Sequence, residues 1–209
     1  MLYKTLQGIF FVIFKALYRT EVIGLEKVPE DERIVICANH KSNLDPILLS
    51  SNFKRQIHWM AKKELSSNFF MRWLVDTLGA FFVDRNSADI KAMKTAMRLL
   101  KEKEIVGIFP EGTRVKEVDL ANSKSGVALI AHRTKSVVVP CYIDGNYKIF
   151  RKMRIIFRDP IDLKELPKQS SEEYEIISRN ILSSIYDISE IGDWYRNLSS
   201  RQCRILWWS

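Results

Sequence analysis

The chain has 209 residues, 46% of them hydrophobic, and carries a formal net charge of +8. That length and apolar share fit one domain with a sizeable core better than two domains. The charge calls for an anionic partner without choosing among nucleic acid, a phospholipid surface and phosphorylated small molecules, while three cysteines (Cys37, Cys141 and Cys203) without C-x-x-C spacing argue against a disulfide framework or metal cluster and for buried thiols in a reducing compartment.

In chain order, the first segment is "LQGIFFVIFKALY" at 6–18. A transmembrane helix needs about 20 apolar residues, and here Lys4 and Lys15 bracket a shorter run. No small-residue cleavage site follows, as a secretory peptide would require. On a helix, Lys4, Gly8, Lys15 and Arg19 form a narrow polar stripe opposite Leu6, Ile9, Phe10, Ile13, Phe14 and Leu17. Residues 1–19 therefore suit a helix lying in a membrane interface, with Phe10, Ile13, Phe14 and Leu17 as docking residues. A core-packing helix is the alternative. The remainder, 20–209, reads as one domain.

"RIVICA" (33–38) has the continuous apolar, β-branched character of a buried strand. Asp45-Pro46 then signals a helix start, with Asp as cap, running through Phe53. "IHWMA" (57–61) reads as a strand and "ELSSNFFMRWLVDTLG" as a helix closed by Gly79. After the short strand "AFFVD" (80–84), Ser87 is a candidate cap for a helix with Ile90, Met93, Met97 and Leu100 at helical spacing. Strand "IVGIFP" (105–110), a helix around Gly126 to His132, strand "SVVVPCYI" (136–143), the Asp144-Gly145 turn and strand "MRIIFRD" (153–159) follow. Ser170 with Glu173 forms a capping box for a last helix. Strands alternating with helices predict an α/β fold: a largely parallel mixed sheet covered by helices on both faces, with functional loops at the carboxyl ends of the strands. The tail "RQCRILWWS" receives no assignment.

Four loops leaving strands carry polar groups that a sheet core does not need: "NHKSNLD" (39–45), "GAFFVDR" (79–85), "FPEGTR" (109–114) and "VVVPCYI" (137–143). In the first, a neutral imidazole at His40 can take a proton from an alcohol. A carboxylate at Asp45 bonded to its other nitrogen would fix the tautomer. The alternative is a satisfied loop histidine beside a helix cap. Asn39 and Ser42 suit loop-shaping hydrogen bonds, and His58 and His132 lack partners that would suggest chemistry. Arg85 and Arg114 each end a short loop after a strand, where a guanidinium fork can hold a phosphate. Surface salt bridges with Asp84 and Glu111 are the alternative. Gly112 permits backbone geometry that a side chain would hinder. The chain has no G-x-S-x-G, no phosphate-binding G-x-x-x-x-G-K-[ST] loop, and no RNP, helix-turn-helix or zinc motif. An acyl-enzyme serine, a nucleotide phosphotransferase and a nucleic-acid partner are thereby disfavoured.

In order and spacing, these four blocks resemble those of the glycerolipid acyltransferase family, which makes phosphatidic acid from lysophosphatidic acid. The likeness extends to "EVIGLEKVP" before the first block and "AKKEL" between the first and second. It implies His40 as general base and Asp45 as its partner. It further implies an acceptor site around Arg85, Glu111, Gly112, Thr113 and Arg114, with Lys63 and Lys124 as further candidate phosphate contacts. "NSKSG" (122–126) departs from the family's usual aromatic and basic pair, which weakens the case for Lys124. The implied reaction moves an acyl group from acyl-CoA or acyl-carrier protein to the sn-2 hydroxyl of lysophosphatidic acid, with no metal and no further cofactor. Another lysophospholipid or glycerol 3-phosphate is the alternative acceptor. Implied too are a lysophospholipid and a membrane surface as partners, and a peripheral or monotopic location on the cytoplasmic side of a membrane.

Overall fold

A computed structural model describes residues 2–84, 89–115 and 117–187. Helix α1 (Leu2–Tyr18) precedes strand β1 (Glu21–Ile23), then β2 (Ile34–Ala38), α2 (Asp45–Ser51), β3 (Ile57–Lys62) and α3 (Phe69–Thr77). After β4 (Phe81–Val83) come α4 (Ile90–Lys101), β5 (Ile105–Ile108), α5 (Gly126–Thr134) and β6 (Val137–Asp144). The described part closes with β7 (Arg154–Phe157), β8 (Ile161–Asp162) and α6 (Ser171–Tyr186).

The strands make one sheet in the order β1-β7-β6-β2-β5-β3-β4, with β8 paired to β6. β2 runs parallel to both neighbours, with Ile36 opposite Gly107 and Val139, whereas β7 and β8 run antiparallel to β6. Every residue of β2 is buried, which is why "IVICA" shows no polar alternation: both of its faces are covered. Ile34, Ile36 and Ala38 join Phe14, Leu48, Leu49 and Phe53 under α1 and α2. Val35 and Cys37, pointing the other way as successive strand residues must, join Leu100, Ala128, Ile181 and Leu182 under α4, α5 and α6. The mixed sheet with helices on both faces is the one expected. Cys37 and Cys141 are free thiols in the core, and burial pushes both above the ordinary thiol range.

Helix starts follow local chemistry. Asn68 caps α3 by accepting from the Met71 N–H, and Asp89 caps α4 by accepting from Ala92. The Ser87 expected there, like the "RQCRILWWS" tail, lies outside the described residues. The segment before α3 is a 3-10 turn (Lys63–Ser67) instead of the expected continuous helix. Ser170 and Glu173 form the capping box of α6.

The first helix departs from the expected docking face. Phe14 is 3% exposed and belongs to the core, and Phe10 packs against that core from a half-buried position. Gln7 decides the orientation: its amide nitrogen donates to the carbonyls of Ser50 at 2.7 Å and Phe53 at 2.5 Å, satisfying groups at the end of α2. Apolar residues cover most of the helix circumference, so periodicity alone could not tell the buried side from the free one. The free side carries Leu2, Ile9, Val12 and Ile13, all exposed, with Val12 at 65%. Of the expected docking residues, Ile13 is exposed and Leu17 is half-buried.

Candidate active site

Because β2, β5 and β6 are parallel, their carboxyl ends share one edge of the sheet. The loop after β2 carries His40, the loop after β5 carries Glu111 to Arg114, and the loop after β6 carries Tyr147.

Asp45 is the first residue of α2 and is fully buried, and its side chain does not cap that helix. Its carboxylate instead folds back over the preceding loop. Oδ2 accepts the backbone N–H groups of Lys41 and Ser42, both at 2.7 Å, and lies 3.0 Å from His40 Nδ1. Oδ1 accepts the Tyr147 hydroxyl at 2.6 Å. With donors converging on it, the carboxylate meets the imidazole as an acceptor. The hydrogen therefore sits on Nδ1 and the lone pair on Nε2. Burial pushes the Tyr147 hydroxyl above the ordinary tyrosine range, and the negative charge of Asp45 adds to the push, so it remains a donor at neutral pH.

The imidazole also rests on a face. Its ring stacks on Phe109 at 4.0 Å between centroids, and Phe109 stacks on Trp59 at 4.7 Å. Trp59 lies across Gly107, its register partner in β5. A Cβ at Gly107 would collide with the indole, so this glycine is required by close approach. Trp59 Nε1 donates to Ser50 Oγ at 2.9 Å, which fixes the far end of the stack.

The loop after β5 holds the main chain of His40 at both polar groups. His40 N–H donates to Glu111 Oε2 at 2.9 Å, and its carbonyl accepts the Val115 N–H at 3.0 Å. Glu111 is therefore turned inward, and its other oxygen accepts the Tyr186 hydroxyl at 2.5 Å. Burial raises the Glu111 carboxyl above the usual carboxylate range, a push opposed by the Tyr186 and His40 donors. Glu111 accordingly occupies a supporting position under His40, within the loop expected to form the acceptor site.

Thr113 and Arg114 are exposed, immediately before the Val115 link to His40. Gly112 has φ +68°, and the alkyl chain of Lys124 passes 3.2 Å from where its Cβ would lie. Lys124 thus stands over the third block despite its altered sequence context. Lys63 pairs with Asp84 at 3.7 Å just beyond the carboxyl ends of β3 and β4. Arg85 lies outside the described residues. Asn39 ties β2 to β6 through Ile143, donating to its carbonyl at 3.1 Å and accepting its N–H at 2.7 Å.

The acyltransferase family model matches residues 19–144, well over half of the chain. A 1-acyl-sn-glycerol-3-phosphate acyltransferase of Bacillus subtilis is 36% identical over 178 residues, covering 80% of this chain and 88% of that protein. The chain belongs to the acyltransferase family. Another relative, the 1-acyl-sn-glycerol-3-phosphate acyltransferase of Streptococcus pneumoniae, is 26% identical over 100% of this chain and 80% of its own. The crystal structure of the 1-acyl-sn-glycerophosphate acyltransferase PlsC from Thermotoga maritima shares the fold. Its TM-score is 0.67 at 24% identity, over 88% of this chain and 79% of that one.

In this acyltransferase, sequence reasoning singled out His40 and Asp45 and missed the two tyrosines behind them. Tyr147 and Tyr186 lie 102 and 75 residues from the carboxylates they touch. No local spacing signals such contacts. The aromatic support was partly legible, since a glycine inside an apolar strand marks a place where something approaches closely.

Proposed function

We propose that this acyltransferase moves an acyl group from a thioester donor to the sn-2 hydroxyl of lysophosphatidic acid, giving phosphatidic acid. The observation that carries the reading is the buried Asp45–His40 pair at the end of a parallel sheet, in a chain whose relatives carry that activity in their names. His40 Nε2 takes the proton of the acceptor hydroxyl as its oxygen attacks the thioester carbonyl. The tetrahedral adduct collapses by breaking the carbon–sulfur bond, and the imidazolium returns the proton to the departing sulfur. Asp45 holds the ring in orientation and stabilises its transient positive charge. Arg114 and Lys124, beside the loop that grips His40, supply positive charge for the acceptor phosphate. Acyl-CoA or acyl-carrier protein is the donor and is consumed as co-substrate, with no further cofactor.

The acceptor is a lipid, so the enzyme works at a membrane surface, on the cytoplasmic side where acyl thioesters are available. No described helix is long and apolar enough to cross a membrane. The exposed Leu2, Ile9, Val12 and Ile13 of α1, beside Lys4 and Lys15, supply an amphipathic face for peripheral or monotopic docking.

Thioester consumption by the purified protein, with each donor against lysophosphatidic acid, other lysophospholipids and glycerol 3-phosphate, tests the reaction. Turnover with lysophosphatidic acid well above the other acceptors is expected. Preference for another acceptor overturns the substrate assignment and leaves the chemistry. For the membrane, Ile9→Ser with Val12→Ser should reduce binding to anionic vesicles, and unchanged binding would remove α1 as the docking face.

A further inference from the structure

The loop between β6 and β7 has a tip that neither the histidine pair nor the sheet uses. Its sequence, Gly145-Asn146-Tyr147-Lys148-Ile149-Phe150-Arg151-Lys152, holds three basic residues and no acidic one. A tight turn, in which the Arg151 N–H donates to the Lys148 carbonyl at 3.0 Å, presents Ile149 and Phe150 outward at 59% and 67% exposure. Phe150 holds that position at φ 62°, a left-handed conformation disfavoured for a bulky side chain. An exposed aromatic ring in a disfavoured backbone conformation gains nothing from the core. For the free molecule a glycine would serve better.

The loop is fastened to the carboxyl end of α1. Phe150 N–H donates to the Leu17 carbonyl at 2.6 Å, Met153 N–H donates to the Tyr18 carbonyl at 3.0 Å, and the Tyr147 ring meets Tyr18 edge-on at 5.6 Å. The tip therefore continues α1 at the end of the sheet that carries His40. Lys148 and Arg151 flank it, as Lys15 and Arg19 flank the end of the helix.

Resting on the membrane reading above, we propose that the Ile149–Phe150 turn is a lipid-contacting wedge, which together with the exposed side of α1 docks the enzyme on a bilayer containing anionic phospholipid. The apolar tip enters the acyl boundary while the basic residues around it meet headgroups of opposite charge. Tyr147, two positions before the tip, holds Asp45, so this contact seats the reacting pair next to the surface from which a lipid acceptor arrives.

Co-sedimentation with phosphatidylcholine vesicles, with and without phosphatidylglycerol, tests the wedge when run beside turnover of a short-chain, water-soluble lysophosphatidic acid. Phe150→Gly suits the left-handed backbone, so its Tm should equal or exceed wild type. Its vesicle affinity should fall about ten-fold or more, with short-chain turnover unchanged. Lys148→Gln with Arg151→Gln should lose only the preference for phosphatidylglycerol. Wild-type vesicle binding by folded Phe150→Gly overturns the wedge. If Ile9→Ser with Val12→Ser has lost binding in the same assay, α1 docks alone, and if that variant also binds normally the membrane reading itself falls. A lower Tm and lower short-chain turnover for Phe150→Gly would also overturn the proposal, by placing Phe150 in the fold. A dimer abolished by Phe150→Gly, with vesicle binding intact, would overturn it by assigning the tip to a second copy of the chain.

Discussion

Two histidines of this protein, His40 after the central strand β2 and His132 in α5, are both hydrogen-bonded through the ring, and only one of them keeps a nitrogen for chemistry. His132 in α5 uses both nitrogens: Nδ1 is 2.8 Å from the Tyr174 hydroxyl, and Nε2 is 2.8 Å from the Leu166 carbonyl. A carbonyl only accepts, so Nε2 carries the hydrogen and Nδ1 accepts from Tyr174. Nothing is left over. His40 gives one nitrogen to a carboxylate, which compensates the charge the ring gains on protonation, while its main chain is gripped on both sides and its face rests on Phe109. What separates the proposed base from His132 is thus one unspent nitrogen, an acidic partner on the other, and a rigid seat.

Removing each ring draws the contrast most sharply. His40→Ala should lower kcat by about 10²- to 10⁴-fold, the usual worth of a general base, with a near-native Tm. His132→Ala should do the reverse, costing roughly 1–3 kcal/mol of stability by stripping the partners of Tyr174 and Leu166, with kcat little changed. Steady-state kinetics and thermal melts of both variants provide the check, and similar kcat losses would erase the distinction. Asp45→Asn keeps the shape but offers the ring an amide in place of an acidic acceptor. Turnover should fall by roughly 10²-fold or more, read as kcat at saturating substrates.

Smaller effects probe the seat. Gly107→Ala forces the Trp59 indole off β5 and should cost about 1–3 kcal/mol, the usual penalty of overpacking, in a denaturant melt. It should also reduce kcat, since the displaced stack carries the imidazole. An unaffected kcat in a destabilised protein would show that the ring needs only its edge contact. Tyr147→Phe deletes one donor to the Asp45 carboxylate and should lower kcat several-fold, about 1 kcal/mol or less in barrier, without changing the acceptor KM.

The same tyrosine gives a further predicted change, confined to the alkaline side, in stability against pH. Its hydroxyl titrates above the ordinary range in the folded chain, so the stability it contributes is complete below about pH 10. Above that pH only the unfolded chain ionises, and the contribution drains away by up to about 1.4 kcal/mol per pH unit. Wild type should therefore lose stability faster than Tyr147→Phe on the alkaline side. Parallel slopes would contradict the buried hydroxyl–carboxylate contact.

Much of the fold was legible because its strongest signals are local. Short continuous apolar runs at 34–38 and 105–108, rich in β-branched residues, mark strands covered on both faces, and Ser170 with Glu173 announces α6. The two- and three-residue strands β8 and β1 were not, since so few residues carry no period. His40 and Asp45 were legible as a motif, including the turn of the carboxylate toward the imidazole, but that Asp45 would leave its own helix uncapped was not. A capping aspartate and one folded back over its own loop look alike in sequence. The buried side of α1 was chosen by Gln7 meeting the end of α2, a contact 43 residues away that no helical projection contains.

Tyr186, the last residue of α6, reaches the main chain of His40 through Glu111. The loop that carries His40 is thus tied to a helix made some 140 residues after it, a link that can form only late in synthesis. While the polypeptide is being synthesised, His40 emerges early but lacks the support of Tyr186 beneath Glu111 until α6 has been translated and docked. A chain lacking α6 would then hold Glu111, and the His40 main chain above it, less firmly than the finished fold does.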